Sequence, residues 1–231
     1  MKLGIMQPYF LPYIGYWQLL GAVDAFVLYD NIQYTKKGWI NRNRFLKNDS
    51  DALFTIPLRK DSDFLNVIDR MIADEFDPER LLNQLAGSYR KAPFFSRVFP
   101  LLGSIVACKD RNLFGYIEHS IRCVAEFLDI KTPIVISSTL QIDHSLRGEQ
   151  KVLALCRAMG ASHYINPVGG QELYSKPAFK EFGITLEFLQ ARPIRYPQFS
   201  NEFVSNLSIV DVLMFNQRES VVGMLQEYDL L

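Results

Sequence analysis

Apolar residues first gather at Leu3, Ile5 and Met6, a run too short for a helix and followed by Pro8 and Pro12. The pattern predicts a buried strand that breaks into a rigid loop. Each proline fixes its own φ and biases the residue before it, Gln7 or Leu11, towards extended backbone. Residues 14–23 are apolar almost all round, as in a helix buried on every side. A second apolar run, residues 24–30, ends on Asp30. A helix between two such runs predicts parallel pairing in a right-handed βαβ unit. Asp30 then stands at the carboxyl end of the second strand, beside the proline loop.

Further along, the period changes. Residues 39–46 and 52–58 read as a β-hairpin joined by the polar stretch 47–51, with Pro57 at an edge or strand end. A third short strand near 66–72 would complete a small antiparallel insert spanning about 39–72. Asp77-Pro78-Glu79 supplies an N-cap and a proline at the first helical position, opening a helix to about residue 90. A second helix follows from 95 to about 108. Residues 112–128 carry the clearest amphipathic period, with Leu113, Ile117, Ile121, Val124 and Leu128 on one face. Together these form a helical segment over about 78–128. Strands return at 133–140, 163–167 and 184–189, around a helix at 146–159 that Asp143-His144-Ser145 precedes and Gly160 ends. Residues 207–216 make a last buried helix, in which Asp211 reads either as a cap or salt-bridge partner or as a site residue, with structure the nearer reading. Strands alternating with helices predict an α/β fold of Rossmann-like type, with a largely parallel central sheet and helices on both faces. The chain is expected as one domain, 1–231.

Composition narrows the class. With 48% hydrophobic residues among 231, a sizeable core is available, and a formal net charge of zero gives no basic field for nucleic acid or an anionic membrane. No apolar run approaches the roughly 18 residues of a membrane span, and the start of the chain lacks a signal-peptide pattern, so cytoplasmic residence is expected. Cys108, Cys123 and Cys156 are odd in number and sit in apolar contexts, which suits reduced core thiols. The three histidines are not paired with each other or with cysteine at ligand intervals, so no dedicated metal site is expected. Magnesium carried in by a nucleotide would leave no such signature. A homodimer stays open, because nothing separates buried apolar helices from a dimer face.

Candidate chemistry collects at the strand ends, where open α/β sheets bind ligands and helix N-termini offer free N–H groups. The loop and helix start bearing Gln7, Pro8, Tyr9, Tyr13, Gly15 and Tyr16 is the first candidate binding element. The second is residues 31–44, where Lys36, Lys37, Arg42 and Arg44 place four cations in nine residues, interleaved with Trp39 and flanked by Gln33 and Asn41. Such a cluster suits an anionic ligand with a ring to stack, a nucleotide or nucleotide sugar, and equally a solvated basic hairpin. Asp30, Lys37 and Arg42 are the candidate catalytic residues, the first as base or hydroxyl ligand and the others to neutralise charge. Asn166, Gly169, Gly170 and Tyr174 follow a strand, and the glycine pair allows either close backbone approach to a ligand or a plain turn. His119, alone on its helix, reads as a surface residue.

Several of these stretches carry a resemblance. Residues 6–16 (Met-Gln-Pro-Tyr-Phe-Leu-Pro-Tyr-Ile-Gly-Tyr), 29–34 (Tyr-Asp-Asn-Ile-Gln-Tyr), 39–43 (Trp-Ile-Asn-Arg-Asn), 164–170 (Tyr-Ile-Asn-Pro-Val-Gly-Gly), 173–174 and 207–216 together resemble the WbqC-like family nearly end to end. That family's association with bacterial O-antigen and other surface-polysaccharide gene clusters implies work on an activated or amino-bearing sugar, with no catalytic residue to carry over. Tyr13-Ile14-Gly15-Tyr16 is also similar, in position and glycine, to the His-x-Gly-His of HIGH-motif nucleotidyltransferases. Tyrosines stand where those enzymes keep the histidines that donate to phosphates. Three functions are carried forward: a transferase on a nucleotide-linked or phosphate-bearing sugar or amino-acid substrate, with nucleotidyl transfer as one form; an aminoacyl or acyl transferase making an amide on an amino sugar; and a non-catalytic sugar-binding protein of polysaccharide assembly.

Overall fold

In the computed structural model, which describes residues 1–200 and 202–231, the first apolar run is strand β1 (Lys2–Met6) and the second is β2 (Ala25–Leu28). The apolar helix α1 (Ile14–Ala22) joins them, and the two strands pair in parallel with Leu3 opposite Ala25 and Met6 opposite Leu28. Strands β5 (Ile134–Ile136), β6 (His163–Pro167), β7 (Thr185–Ala191) and β8 (Tyr228–Leu230) complete a six-stranded sheet in the order β5-β2-β1-β6-β7-β8. All neighbours are parallel except β8, which pairs antiparallel with β7. Counted in chain order within the sheet, this is 3-2-1-4-5-6, the Rossmann order, which reverses direction between β1 and β6.

Alternate strand residues feed two cores. Leu3, Ile5, Ala25, Val27, Tyr164 and Leu186 pack under α5 (Gly148–Ala158) and α6 (Lys176–Glu181). Phe26, Leu28, Ile165 and Leu189 face the larger core, under α1 and four further helices: α2 (Pro78–Tyr89), α3 (Phe95–Val106), α4 (Leu113–Phe127) and α7 (Ile209–Phe215). The Asp77 carboxylate caps α2 by accepting from Arg80 N–H, and Asn112 caps α4 the same way. The hairpin is β3 (Arg42–Lys47) and β4 (Ser50–Thr55), turned by Asn48 and Asp49 with both φ positive, the geometry of a two-residue type I′ loop.

Three expectations need correction. The strand expected at 66–72 is a single 3₁₀ turn, Val67–Asp69, between isolated bridges. Its N–H groups go to different partners, Val67 to the Ile32 carbonyl and Ile68 to the Asp30 carbonyl, so no ladder forms. Leu11 is left-handed (φ 46°) rather than extended. Its side chain is buried in the core, and its carbonyl is clasped by Asn43 Nδ2 at 2.9 Å and Ser208 Oγ at 2.7 Å. That strain persists because the surroundings over-determine it. Finally β8, α6 and α8 (Arg218–Met224) had no counterpart in the hydrophobic pattern.

Asp211 is a structural knot. Its fully buried carboxylate accepts from Tyr89 Oη at 2.9 Å, Tyr196 Oη at 2.7 Å and Gln198 Nε2 at 2.7 Å. Tyr89 in turn accepts from Leu46 N–H, so α7, α2, β3 and the segment before α7 are fastened at one point.

Candidate functional site

Where the strand order reverses, the carboxyl ends of β1, β2 and β6 diverge around a cleft of about 840 Å³. Open α/β sheets bind ligands at this switch point, because the loops leaving adjacent strands turn to opposite faces and leave a crevice between them. Gln7, Tyr9 and Tyr13 enter the lining from the proline loop, Tyr29 from the end of β2, and Asn166, Gly169, Gly170 and Tyr174 from the end of β6 and the turn after it. Gln33 and Trp39 come from the polar cluster. Arg147, Gly148 and Glu149 at the start of α5 close the far wall, with Asn66, Phe64 and Leu173 at the rim.

Local contacts fix these groups. Tyr16 is buried in the core and donates to the Gln7 carbonyl at 3.2 Å, while Tyr9 donates to Gln7 Oε1 at 3.2 Å. A Cβ on Gly15 would lie 2.4 Å from the Tyr13 ring, so glycine lets that ring lie across the first turn of α1. A Cβ on Gly170 would lie 2.0 Å from Asn166 Nδ2, so glycine likewise lets the Asn166 amide lie over that turn. Burial, then the neighbouring Tyr13, pushes the Tyr9 phenol up to about 12. Burial and then Tyr174 do the same to Tyr29, against a downward pull from Arg147. Burial also raises Tyr13 and Tyr174. The cleft therefore presents neutral hydroxyl groups at physiological pH. Behind Tyr29, the buried Lys151 lies 5.3 Å from the ring and donates to the His144 carbonyl at 3.2 Å. Its pKa is lowered by that burial and then by Arg147.

Other candidates lie outside the lining. Asp30 is fully buried, and its Oδ1 accepts from Ser137 Oγ at 2.7 Å and Ser138 N–H at 2.9 Å, fastening the end of β2 to the turn after β5. Lys37 is exposed in a left-handed turn. Arg42 spends its guanidinium on the carbonyls of Gly38, at 2.9 Å, and Lys37, so it builds the loop. Asn41 is a buried strut between Tyr34 Oη and the Ile56 carbonyl. Pro8 is buried beneath the loop, and Arg44 faces an adjoining pocket. Sequence reasoning missed Tyr29, Arg147 and Glu149. The helix start at 146–148 was visible, but only folding brings it opposite the proline loop. Glu149 is the carboxylate among the lining residues, and its Oε2 accepts from Ser175 N–H at 2.6 Å. Among the described residues no three His, Cys, Asp or Glu side chains gather as a metal site, and no helix is long and apolar enough to cross a membrane.

These features define an α/β protein with a ligand-sized cleft at the switch point of a Rossmann-ordered sheet. The sequence profile of the WbqC-like protein family matches residues 7–222, so the chain belongs to that family. It is also similar to the uncharacterized protein Rv1507c of Mycobacterium tuberculosis (strain ATCC 25618 / H37Rv), 27% identical over 219 residues that cover 93% of each chain.

Proposed function

We propose that the chain is a cytoplasmic transferase of bacterial surface-polysaccharide biosynthesis, holding a nucleotide-linked or phosphate-bearing sugar in the switch-point cleft. The observation that carries this reading is the cleft itself: ring walls on several sides and a cation at one helix start. Trp39, Tyr29 and Tyr174 offer faces for a sugar or base, and neutral phenols and amides suit sugar hydroxyls. Arg147 makes no ion pair among the described residues and stands at the start of α5, where free N–H groups favour phosphate. Of the two tyrosines in the HIGH-like tetrad, Tyr13 lines the cleft and Tyr16 lies in the core, so phosphate charge falls to Arg147. Glu149 is the candidate to accept a proton from the attacking group.

A thermal-shift screen tests this, with nucleotide sugars, nucleoside triphosphates with magnesium, amino sugars and amino acids. A ligand at a hundred times its Kd stabilises the fold by about 2.7 kcal/mol, a shift of roughly 5–10 °C for a chain of this size. The proposal expects a nucleotide-linked compound to give such a shift in wild type and to lose most of it in Arg147→Ala. A response only to amino sugars and amino acids would move the reading to amide transfer, and silence across the panel would overturn it.

A further inference from the structure

Beside the main cleft lies a second pocket of about 290 Å³, and Tyr9, Tyr13 and Trp39 line both. Its polar wall includes Asn43 and Arg44. The Asn43 amide is committed, donating to the Leu11 carbonyl and accepting from Arg44 N–H. The Arg44 guanidinium is committed on one side only, through an ion pair with Asp51. Its Nη1 reaches Asp51 at 3.4 Å, and its buried Nε–H has no acceptor. Nη2 shares an edge with Nε and makes no hydrogen bond to a described residue. The guanidinium carbon lies over the Trp39 indole, 5.3 Å from its centroid. Arg42 approaches the same indole at 5.7 Å, but its Nε and Nη2 are turned to the Gly38 and Lys37 carbonyls. One arginine of the pair builds the loop and the other keeps Nη2 free.

Nε has no surface open to the pocket, so the unpaired Nη2 is the nitrogen that a ligand reaches, and an unpaired cationic donor favours an anionic acceptor. We propose that this pocket binds a small carboxylate at Nη2 of Arg44, with the Trp39 indole against its apolar part. Nη2 supplies charge-assisted N–H donors on a guanidinium that keeps its charge at any working pH. The volume lies at the small end of ligand pockets and suits a molecule of amino-acid or hydroxy-acid size rather than a nucleotide. Across the shared rings a bound carboxylate faces the main cleft, so the pocket is the second-substrate site of a two-substrate transferase. This last step rests on the proposed function, and the binding of a carboxylate does not.

Of the two tryptophans, Trp17 is fully buried and Trp39 half-exposed, so a change in emission on titration reports on Trp39. The probes are the proteinogenic amino acids, lactate, pyruvate and inorganic phosphate, titrated into wild type, Arg44→Gln and Arg147→Ala. The expected result is saturable binding of at least one carboxylate to wild type and to Arg147→Ala, weakened at least roughly tenfold in Arg44→Gln. Arg44→Lys, which keeps the charge and loses Nη2, should be weakened as well, and serves if Arg44→Gln folds poorly. Failure of every carboxylate to saturate, equal binding in the Arg44 variants, or binding of phosphate alone would overturn the proposal. Carboxylate binding without any nucleotide-sugar response would leave the pocket standing and remove the transferase reading, and the reverse pattern would remove the pocket alone.

Discussion

Replacing Gly15 with alanine should weaken ligand binding while leaving the fold intact. The new Cβ would fall 2.4 to 2.6 Å from Cε2, Cζ and Oη of Tyr13, where ordinary contact begins near 3.4 Å. The tip of the ring must therefore retreat by about 1 Å. Tyr13 is 37% exposed and its hydroxyl makes no hydrogen bond among the described residues, so the retreat costs little. Alanine meanwhile favours the helix by up to about 1 kcal/mol. At roughly 2–4 °C per kcal/mol, the melting midpoint should hold or rise slightly. Binding is another matter, since the displaced ring lines both the cleft and the adjoining pocket. An aromatic contact contributes on the order of 1 kcal/mol beyond its area, so Kd should rise roughly fivefold to tenfold. Titration calorimetry on wild type, Gly15→Ala, Tyr13→Ala and the double variant, with the nucleotide sugar that stabilises wild type, measures this. Once Tyr13 is removed, Gly15→Ala should cost nothing further. Wild-type affinity in Gly15→Ala beside weakened binding in Tyr13→Ala, or an equal cost with the ring absent, would refute the reasoning.

Other outcomes follow from the same contacts. Asp211→Asn should lower stability by roughly 2–4 kcal/mol in urea unfolding, because its amide must face donors on Tyr196 and Gln198 or compete with Leu46 N–H at Tyr89. Burial raises the Asp211 pKa, while hydrogen bonds from Tyr196, Gln198 and Tyr89 pull it back. The folded carboxyl thus holds its proton to higher pH than the unfolded one, so its contribution is greatest in acid and is lost as pH rises through the raised value. The gap between wild type and Asp211→Asn should accordingly narrow from acid to neutral pH. Gly170→Ala should displace the Asn166 amide, cost about 1 kcal/mol as Tyr164 Oη loses its 3.1 Å acceptor, and weaken ligand binding in the same titration. Asp49→Gly, at φ 58° in the hairpin loop, should raise stability by up to about 1 kcal/mol, read as a higher midpoint.

The sheet was readable where burial is continuous. β1 and β2 are short apolar runs on either side of an apolar helix, and parallel buried strands leave that signature. β8 left none, because three residues, Tyr-Asp-Leu, held at an edge by pairing with β7 show no period. The candidate site divides the same way. Gln7, Tyr9 and Tyr13, which line the cleft, stood out because prolines and aromatics at a strand end are a local pattern. The cations of 36–44 could not be sorted locally, since whether Arg42 or Arg44 keeps a free Nη2 depends on where the Lys37 and Gly38 carbonyls point. Arg147 joins the cleft only through the reversal in strand order, a property of the assembled sheet.

A crystal structure of the protein with the nucleotide sugar that stabilises it most would decide whether the switch-point cleft holds the ligand. Density is expected in the switch-point cleft, with a phosphate within hydrogen-bond reach of Arg147 and the first turn of α5, and a ring against Trp39, Tyr29 or Tyr174. Density on the exposed lysines at 36–37, with the cleft unoccupied, would contradict the proposed function.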